Sequence, residues 1–356
     1  MLPGLLACLV VAAVARLIGT SLQLGLETAL SLAIGLAVGS LAPVRAVLID
    51  GAGVAARYAL QVGIALLGAR LTVDRLLATG GASLVAIAGV VTVGLLLGTM
   101  AARRLGVRPP LSALITVGMA ICGNSAILAL APIVRSPHRE TAYAVSTITV
   151  FGLIGVLLLP VLGTAMHLSN GVFGTWAGLS VNDTAQVVAT GYAFSPSAGD
   201  VATVVKLTRN LAILPVLLGA TWLAARSAGA GSSVVDGERS VKRAGSPLRL
   251  VARAVPWFVI GFVVFAALRS LGFLDAGLPT GGTLADLCST AAALLILVAL
   301  AGVGLSTDVR AMLGVGARPL MLGASIWIVL VLLGLALATV VGPAASPIAG
   351  AGYHAG

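Results

Sequence analysis

From one end of the chain to the other, long apolar runs alternate with short polar joints. About eleven runs stand out, at 3–20, 28–42, 53–71, 81–102, 111–134, 141–167, 178–191, 199–225, 250–272, 284–305 and 319–342. Most approach the ~20 residues a helix needs to cross about 30 Å of hydrocarbon. Only helices or closed barrels satisfy the backbone in lipid, and these runs are about twice barrel-strand length, so all are expected to be helical. Two runs break the pattern. Residues 178–191 would extend only roughly 21 Å as a helix, too short to cross alone, so this segment is expected to be half of a broken helix or a re-entrant segment. Residues 111–134 are long enough and carry no charge, yet hold Cys122-Gly123-Asn124-Ser125 at their centre.

Composition fixes the class. Of 356 residues, 59% are hydrophobic and 9% charged, and the mean hydropathy of +1.12 is that of an integral, multi-pass membrane protein. The first run lacks a basic leader and a clear small-residue cleavage site, so it reads as a retained helix rather than a cleaved signal. The net charge of +10 comes mostly from Arg in short joints between spans, which membrane insertion explains without a nucleic-acid partner. The chain reads as a single transmembrane transporter domain whose longest polar stretch, 226–249, is a flexible loop with five basic residues against two acidic ones. Placing it in the cytoplasm with Arg45, Arg103, Arg104, Arg108, Arg310 and Arg318 predicts an inside N-terminus and an outside C-terminus for eleven crossings. Cys8, Cys122 and Cys288 are odd in number and far apart, and His138, His167 and His354 lack ligand spacing, so neither a disulfide framework nor a metal site is expected.

Three stretches carry candidate chemistry. In the first, Gly weakens a helix interior while Asn and Ser favour its start, so Cys122-Gly123-Asn124-Ser125 tells a mid-bilayer helix to stop and restart. The restart would aim the amides of Ala126, Ile127 and Leu128 at an anion from a positive dipole end. The plainer alternative is a kink for close helix packing. In the second, "SVNDTAQVVATGY" (180–192), Asn182, Asp183, Thr184 and Gln186 interrupt an apolar segment. Asn182 or Asp183 can cap a helix, and an ionisable group at membrane depth is a functional candidate, although a capped helix in an external loop would look the same. In the third, Thr203, Lys206, Arg209 and Asn210 form one polar stripe on a helix near 199–225. Lys206 has a route to the interface by snorkelling. Arg209, a turn deeper, needs Asp183, Asp200 or a bound anion to balance it.

Two helix starts and two cations with few carboxylates point to a small anion as substrate, with a proton or sodium ion as a coupling partner and a second copy of the chain left open. Glu27, Glu140 and Asp286 lie near predicted span ends, where solvated or capping roles are usual. No cofactor cage, nucleotide-binding loop, paired carboxylates or nucleophile with a base is present, so neither an enzyme nor an ATP-driven pump is expected. An antiporter with Asp183 as its ion ligand remains a second reading, and a non-transporting scaffold a third. The stretches 64–80 and 298–314 align without gaps, matching Gly68 with Gly302 and Asp74 with Asp308, in the manner of an inverted repeat.

These motifs resemble the YeiH-type family of bacterial inner-membrane proteins. The likeness rests on "ICGNSAI" (121–127), "FGTWAGLSVNDTAQVVATGYA" (173–193) and "ATVVKLTRN" (202–210), in that order, and covers nearly the whole chain. It implies export of sulfate or a related sulfur oxyanion, and a distant similarity to sodium/proton antiporters and bile-acid sodium symporters, whose inverted repeats hold crossed broken helices. Many members read Ser-Ile-His-Glu where this chain has Ser180-Val181-Asn182-Asp183, so a proton role for that His does not carry over. In this chain the second broken element would lie upstream of its repeat copy, a departure from an ordinary tandem repeat. The expected site lies near the bilayer midplane, with Cys122, Gly123, Asn124, Ser125, Asn182, Asp183, Thr184 and Gln186 around an anion that Lys206 and Arg209 neutralise.

Overall fold

The computed structural model describes residues 1–21, 27–220, 256–277, 282–307 and 316–344. The expected loop 226–249, Asp308 and Arg310 of the repeat linker, and His354 lie outside them. Among the described residues the chain is helical apart from turns and one isolated bridge between Gly277 and Thr283. Among the described residues, seven helices are long and apolar enough to cross a membrane, and Glu27–Gly39, Pro109–Ala120 and Trp257–Ser270 are shorter apolar ones. The fold is an all-α polytopic membrane protein.

One group of helices is built around α13 (Leu284–Ser306), which packs on α1 (Leu2–Ser21), α2 (Glu27–Gly39), α3 (Ala42–Val54) and α4 (Leu60–Leu67). A π-helical turn, Ala55–Ala59, joins α3 to α4, and α12 (Trp257–Ser270) lies on α4. Small residues set these approaches: the Gly35 and Gly304 backbones meet where α2 crosses α13, and Ser31 Oγ donates to Leu297 O at 2.8 Å. Apolar side chains face outward as well as inward where lipid is the solvent, as with Leu2, Leu6, Leu9 and Leu17 on α1.

The second group holds α5 (Val73–Leu105), α6 (Pro109–Ala120), α7 (Asn124–Leu130), α8 (His138–Ala165), α9 (Asn170–Ser180), α10 (Thr184–Phe194), α11 (Pro196–Asn210) and α14 (Ala317–Val341). Here α14 packs on α5, α6, α8 and α9, while α11 lies along α9, α10 and α5. The Trp176 indole donates to Val331 O at 2.8 Å and fastens α9 to α14. The two groups meet where α10 touches α2 and α13 and where α12 touches α5.

Both irregular runs are broken helices. The 111–134 run stops at Ala120 and restarts at Asn124, with Gly123 at φ +64° and ψ −126°, a conformation that a side chain makes strained. The short 178–191 segment belongs to a longer run of two helices, Asn170–Ser180 and Thr184–Phe194, separated by an extended link at Val181 and Asp183. Gly171, Gly174, Ser169 and Asn170 dilute the apolar signal at its start, which is why sequence periodicity finds only the end of α9. The expected span 53–71 also begins earlier: the helix starts at Ala42 with Pro43 in its first turn, and so includes Asp50 as well as Arg57. In the repeat, the first copy ends its helix at Leu67 and turns through Gly68–Arg70, whereas the second stays α-helical to Ser306.

A side chain at Gly304 would sit 2.6 Å from Leu32 O and Leu36 N, both backbone atoms that cannot yield. Gly304→Val is expected to force α2 off α13 and to lower stability by about 1–3 kcal/mol, read as a drop of several degrees in the thermal transition of the detergent-solubilised protein. An unchanged transition would contradict this packing.

Candidate functional site

The two helix breaks lie against each other. A methyl group placed on Gly123 would come within 3.1 Å of Asn182 O and 3.2 Å of Asp183 Cα, so the turn at 121–123 and the extended link at Val181 and Asp183 approach more closely than a side chain fits without a shift. Asn124 Nδ2 donates to Asp183 Oδ2 at 3.2 Å, and Asn182 Nδ2 to Met119 Sδ at 2.9 Å, so side chains bridge the breaks in both directions. Asp183 is the N-cap of α10, its Oδ1 accepting from Ala185 N at 2.9 Å. The α7 restart has Gly123 as its N-cap and no side-chain cap. Ile127 N bonds back to Gly123 O at 3.2 Å, so of the three amides expected to face an anion that of Ile127 is used within the helix, because α7 starts earlier than the sequence indicates.

Breaking a helix frees carbonyls at its C-terminal end as well as amides at the next start, and in lipid these carbonyls need donors. Lys206 and Arg209, both fully buried, supply them. Lys206 Nζ donates to Ile121 O at 2.9 Å, Val181 O at 3.2 Å and Asn182 O. Arg209 Nε and Nη2 reach Ala120 O at 3.1 and 3.0 Å, and Nη2 also reaches Met119 O at 2.8 Å. Its Nη1 spans the end of α9, at 2.7 Å from Leu179 O, 3.3 Å from Val181 O and 3.4 Å from Gly178 O. Every proton that Lys206 and Arg209 can donate has a backbone acceptor, and the two cations sit at the negative ends of two helix dipoles. The route to the interface open to Lys206 by its chain length is not taken, since carbonyls at membrane depth replace water around it. Arg209 is balanced by these carbonyls, whereas Asp200 pairs with Arg70.

The remaining expected residues divide by exposure. Cys122, Gly123, Asn182 and Gln186 are buried, Asn124, Asp183 and Thr184 half-buried, and Ser125 exposed, so the open rim of the crossing is polar. Gln186 Nε2 donates to Thr149 O at 3.1 Å and its oxygen lies over Gly152, where the absent side chain leaves room for it. Thr203 turns its hydroxyl back to Gly199 O, so on the expected stripe it stabilises its own helix.

The sequence reading missed a second polar cluster. Arg70, in the turn after α4, lies 3.4 Å from Asp200 Oδ1 on α11 and 3.4 Å from Tyr192 Oη on α10, and Tyr192 donates to Asp200 at 2.5 Å. It links the first helix group to the second. A lone Arg at a span end and an Asp eight residues from a Tyr give no local signal of such pairing.

These features define a multi-pass membrane protein with two helix breaks meeting over a buried, carbonyl-bound cation pair. The chain belongs to the family described as conserved hypothetical protein 698, the YeiH-type family, whose model matches residues 3–323. It is similar to a UPF0324 membrane protein of Streptococcus pyogenes serotype M6, with 31% identity over 94% of this chain and 96% of the relative. A UPF0324 membrane protein of Clostridium tetani is 30% identical over 77% of both chains, and one of Streptococcus pneumoniae R6 is 30% identical over 80% of both. No solved structure matches the chain significantly.

An orphaned buried acceptor costs about 1–3 kcal/mol, and Lys206→Met would take the lysine donor from Ile121 O and Asn182 O together, leaving Val181 O to Arg209 alone. The expected outcome is a large loss of folded protein or a thermal transition lowered by ten degrees or more, measured by size-exclusion recovery after heating. Ser125→Ala, on the exposed rim, should leave the transition within a degree or two. Equal stability of the two variants would show that Lys206 does not hold the breaks together.

Proposed function

We propose that the protein is a secondary transporter that carries a small sulfur oxyanion, sulfate or sulfite, across the membrane through the crossing of the two helix breaks. The observation that carries this reading is the charge at the crossing. Lys206 and Arg209 contribute two positive charges and Asp183 one negative, while the two helix C-termini and the two N-termini there offset one another. A net positive charge is left within lipid depth, and a small anion entering past Ser125 and Thr184 restores neutrality. The buried pair therefore acts on the substrate through its field, with its own protons held by the carbonyls. Contact with the anion falls to the rim hydroxyls and the Asn124 amide group. The family resemblance supports export as the direction, and the missing nucleotide-binding motif supports coupling to an ion gradient.

Asp183→Asn separates this reading from one in which Asp183 binds a coupling cation. Asn is an equally good N-cap, so α10 is retained while the net charge at the crossing rises by one. Anion transport predicts that labelled sulfate or sulfite still moves into proteoliposomes, with a KM lowered several-fold at low ionic strength. A cation site at Asp183 predicts instead that flux and its dependence on sodium or pH vanish together. Absence of both flux and anion-dependent thermal stabilisation in the wild-type protein would remove the anion from the proposal.

A further inference from the structure

Each broken run folds back on itself. Gly118 and Ile127 would stand about 13 Å apart along a straight helix, yet a side chain on Gly118 would come within 2.9 Å of Ile127 Cγ1, so α7 returns beside α6. At the other break, Ser195 Oγ donates to Asn170 Oδ1 at 2.8 Å, so the start of α9 and the end of α10 meet. The two hairpins enter from opposite sides. The mouth of the α9–α10 hairpin lies at the start of α11, where Asp200 holds Arg70, and α5 begins just after Arg70 and runs 33 residues to the far side, where α6 starts. That far side carries Arg103, Arg104, Arg108, Arg135, Arg139 and Arg318, which makes it the cytoplasmic one.

Exposure differs between the hairpins. On the outer side, Gly171–Ser180 of α9 are all buried, and so is α10 from Ala185 to Gly191. There α10 packs on α2 and α13 of the first helix group, and Arg70 reaches across from that group to Asp200 Oδ1 and Tyr192 Oη. The turn bearing Arg70 is itself fixed in the first group, with Gly68 packed directly on Phe262 O of α12 and Val73 N donating to Ser270 Oγ at 2.7 Å. On the cytoplasmic side, α7 packs on α6 and α8 of its own group. Ser125 and Leu128, one turn apart on one face of α7, are exposed, as is Pro132 beyond them. At the head of this face Asn124, Asp183 and Thr184 are half-buried. Lipid tails do not solvate a carboxylate at that depth, so the open part of Asp183 is met by water.

From this asymmetry we propose that the structure is the inward-open state of a two-gated path. A water-filled crevice leads from the cytoplasm along α7 to the crossing, and the α9–α10 hairpin, latched to the first group by Arg70, Tyr192 and Asp200, closes the other side. The two gates rest on the transport reading for their purpose, and on exposure and packing for their position. Asp200 precedes Lys206 by about 9 Å along α11, so releasing the latch leaves the carbonyl contacts of the crossing in place. Release frees α10 from α2 and α13 and lets α7 close toward the first group, which exposes the crossing to one side at a time.

The test is the sidedness of cysteine labelling by a membrane-impermeant maleimide in inside-out and right-side-out vesicles, with Cys8, Cys122 and Cys288 replaced by Ala. Ser125→Cys and Leu128→Cys are expected to label several-fold faster in inside-out vesicles, and Leu332→Cys, exposed on α14, in neither. Arg70→Gln, added to Ser125→Cys, is expected to slow labelling from the cytoplasmic side several-fold and to bring labelling from the outer side. Tyr192→Phe, a milder change, is expected to shift it the same way. The exchange of Arg70→Asp with Asp200→Arg keeps both charges and is expected to return the original sidedness, which a general loss of structure would not. Equal labelling of Ser125→Cys from both sides, an unlabelled Leu128→Cys, labelling of Leu332→Cys, or sidedness indifferent to both Arg70→Gln and Tyr192→Phe overturns the proposal, as does an exchange that stays open outward. Sided labelling without sulfate or sulfite flux would keep the crevice and remove the transport reading, and flux without sided labelling would do the reverse.

Discussion

Carbonyl groups left without partners where a helix stops inside a membrane are the constraint from which the centre of this protein follows. Water cannot reach them cheaply, and an unpaired acceptor in hydrocarbon costs several kcal/mol. Two helices, α6 and α9, end at the same depth against each other, and a single helix, α11, brings Lys206 and Arg209 to both ends. One lysine and one arginine thus bind carbonyls from two different helices. The breaks would be unaffordable separately; together they share one pair of cations.

That arrangement separates two roles that a sequence alone tends to merge. A buried cation in a transporter is readily taken as the group that grips an anion. Here the hydrogen-bonding capacity of Lys206 and Arg209 is spent on backbone, while the single carboxylate of Asp183 stands beside two cationic side chains. Charge acts over several ångströms in a low-dielectric interior, whereas a hydrogen bond acts only at contact. The pair can therefore be structural in its contacts and attractive to an anion in its field. Asp183 is likewise both the cap of α10 and the one carboxylate at the crossing, and Asn182 contributes its backbone to Lys206 and its amide to Met119.

A good part of the site could be read from order along the chain. Gly123 marks a helix interruption because glycine alone tolerates its backbone angles, and Asp183 marks a helix start because its short carboxylate reaches the first amides. The stripe of Lys206 and Arg209 follows from helical spacing. What could not be read was the use of these groups. The full length of the α9–α10 pair was hidden by glycines that serve packing, and the start of the helix bearing Asp50 and Arg57 was hidden because charges normally mark a span's end.

By itself, the sequence determined that this is a helical membrane protein with interruptions in two spans and a cationic third segment, because hydropathy, backbone preference and helical periodicity are properties of neighbouring residues. Only the tertiary structure decided that the interruptions meet, that Arg209 takes carbonyls 89 and 90 residues away, and that Asp200 pairs with Arg70 instead of Arg209. Such pairings depend on which helices pack side by side. Between segments that are almost all equally apolar, that choice is made by the fit of small residues and the few polar groups in need of partners, whose matches lie far apart in the chain.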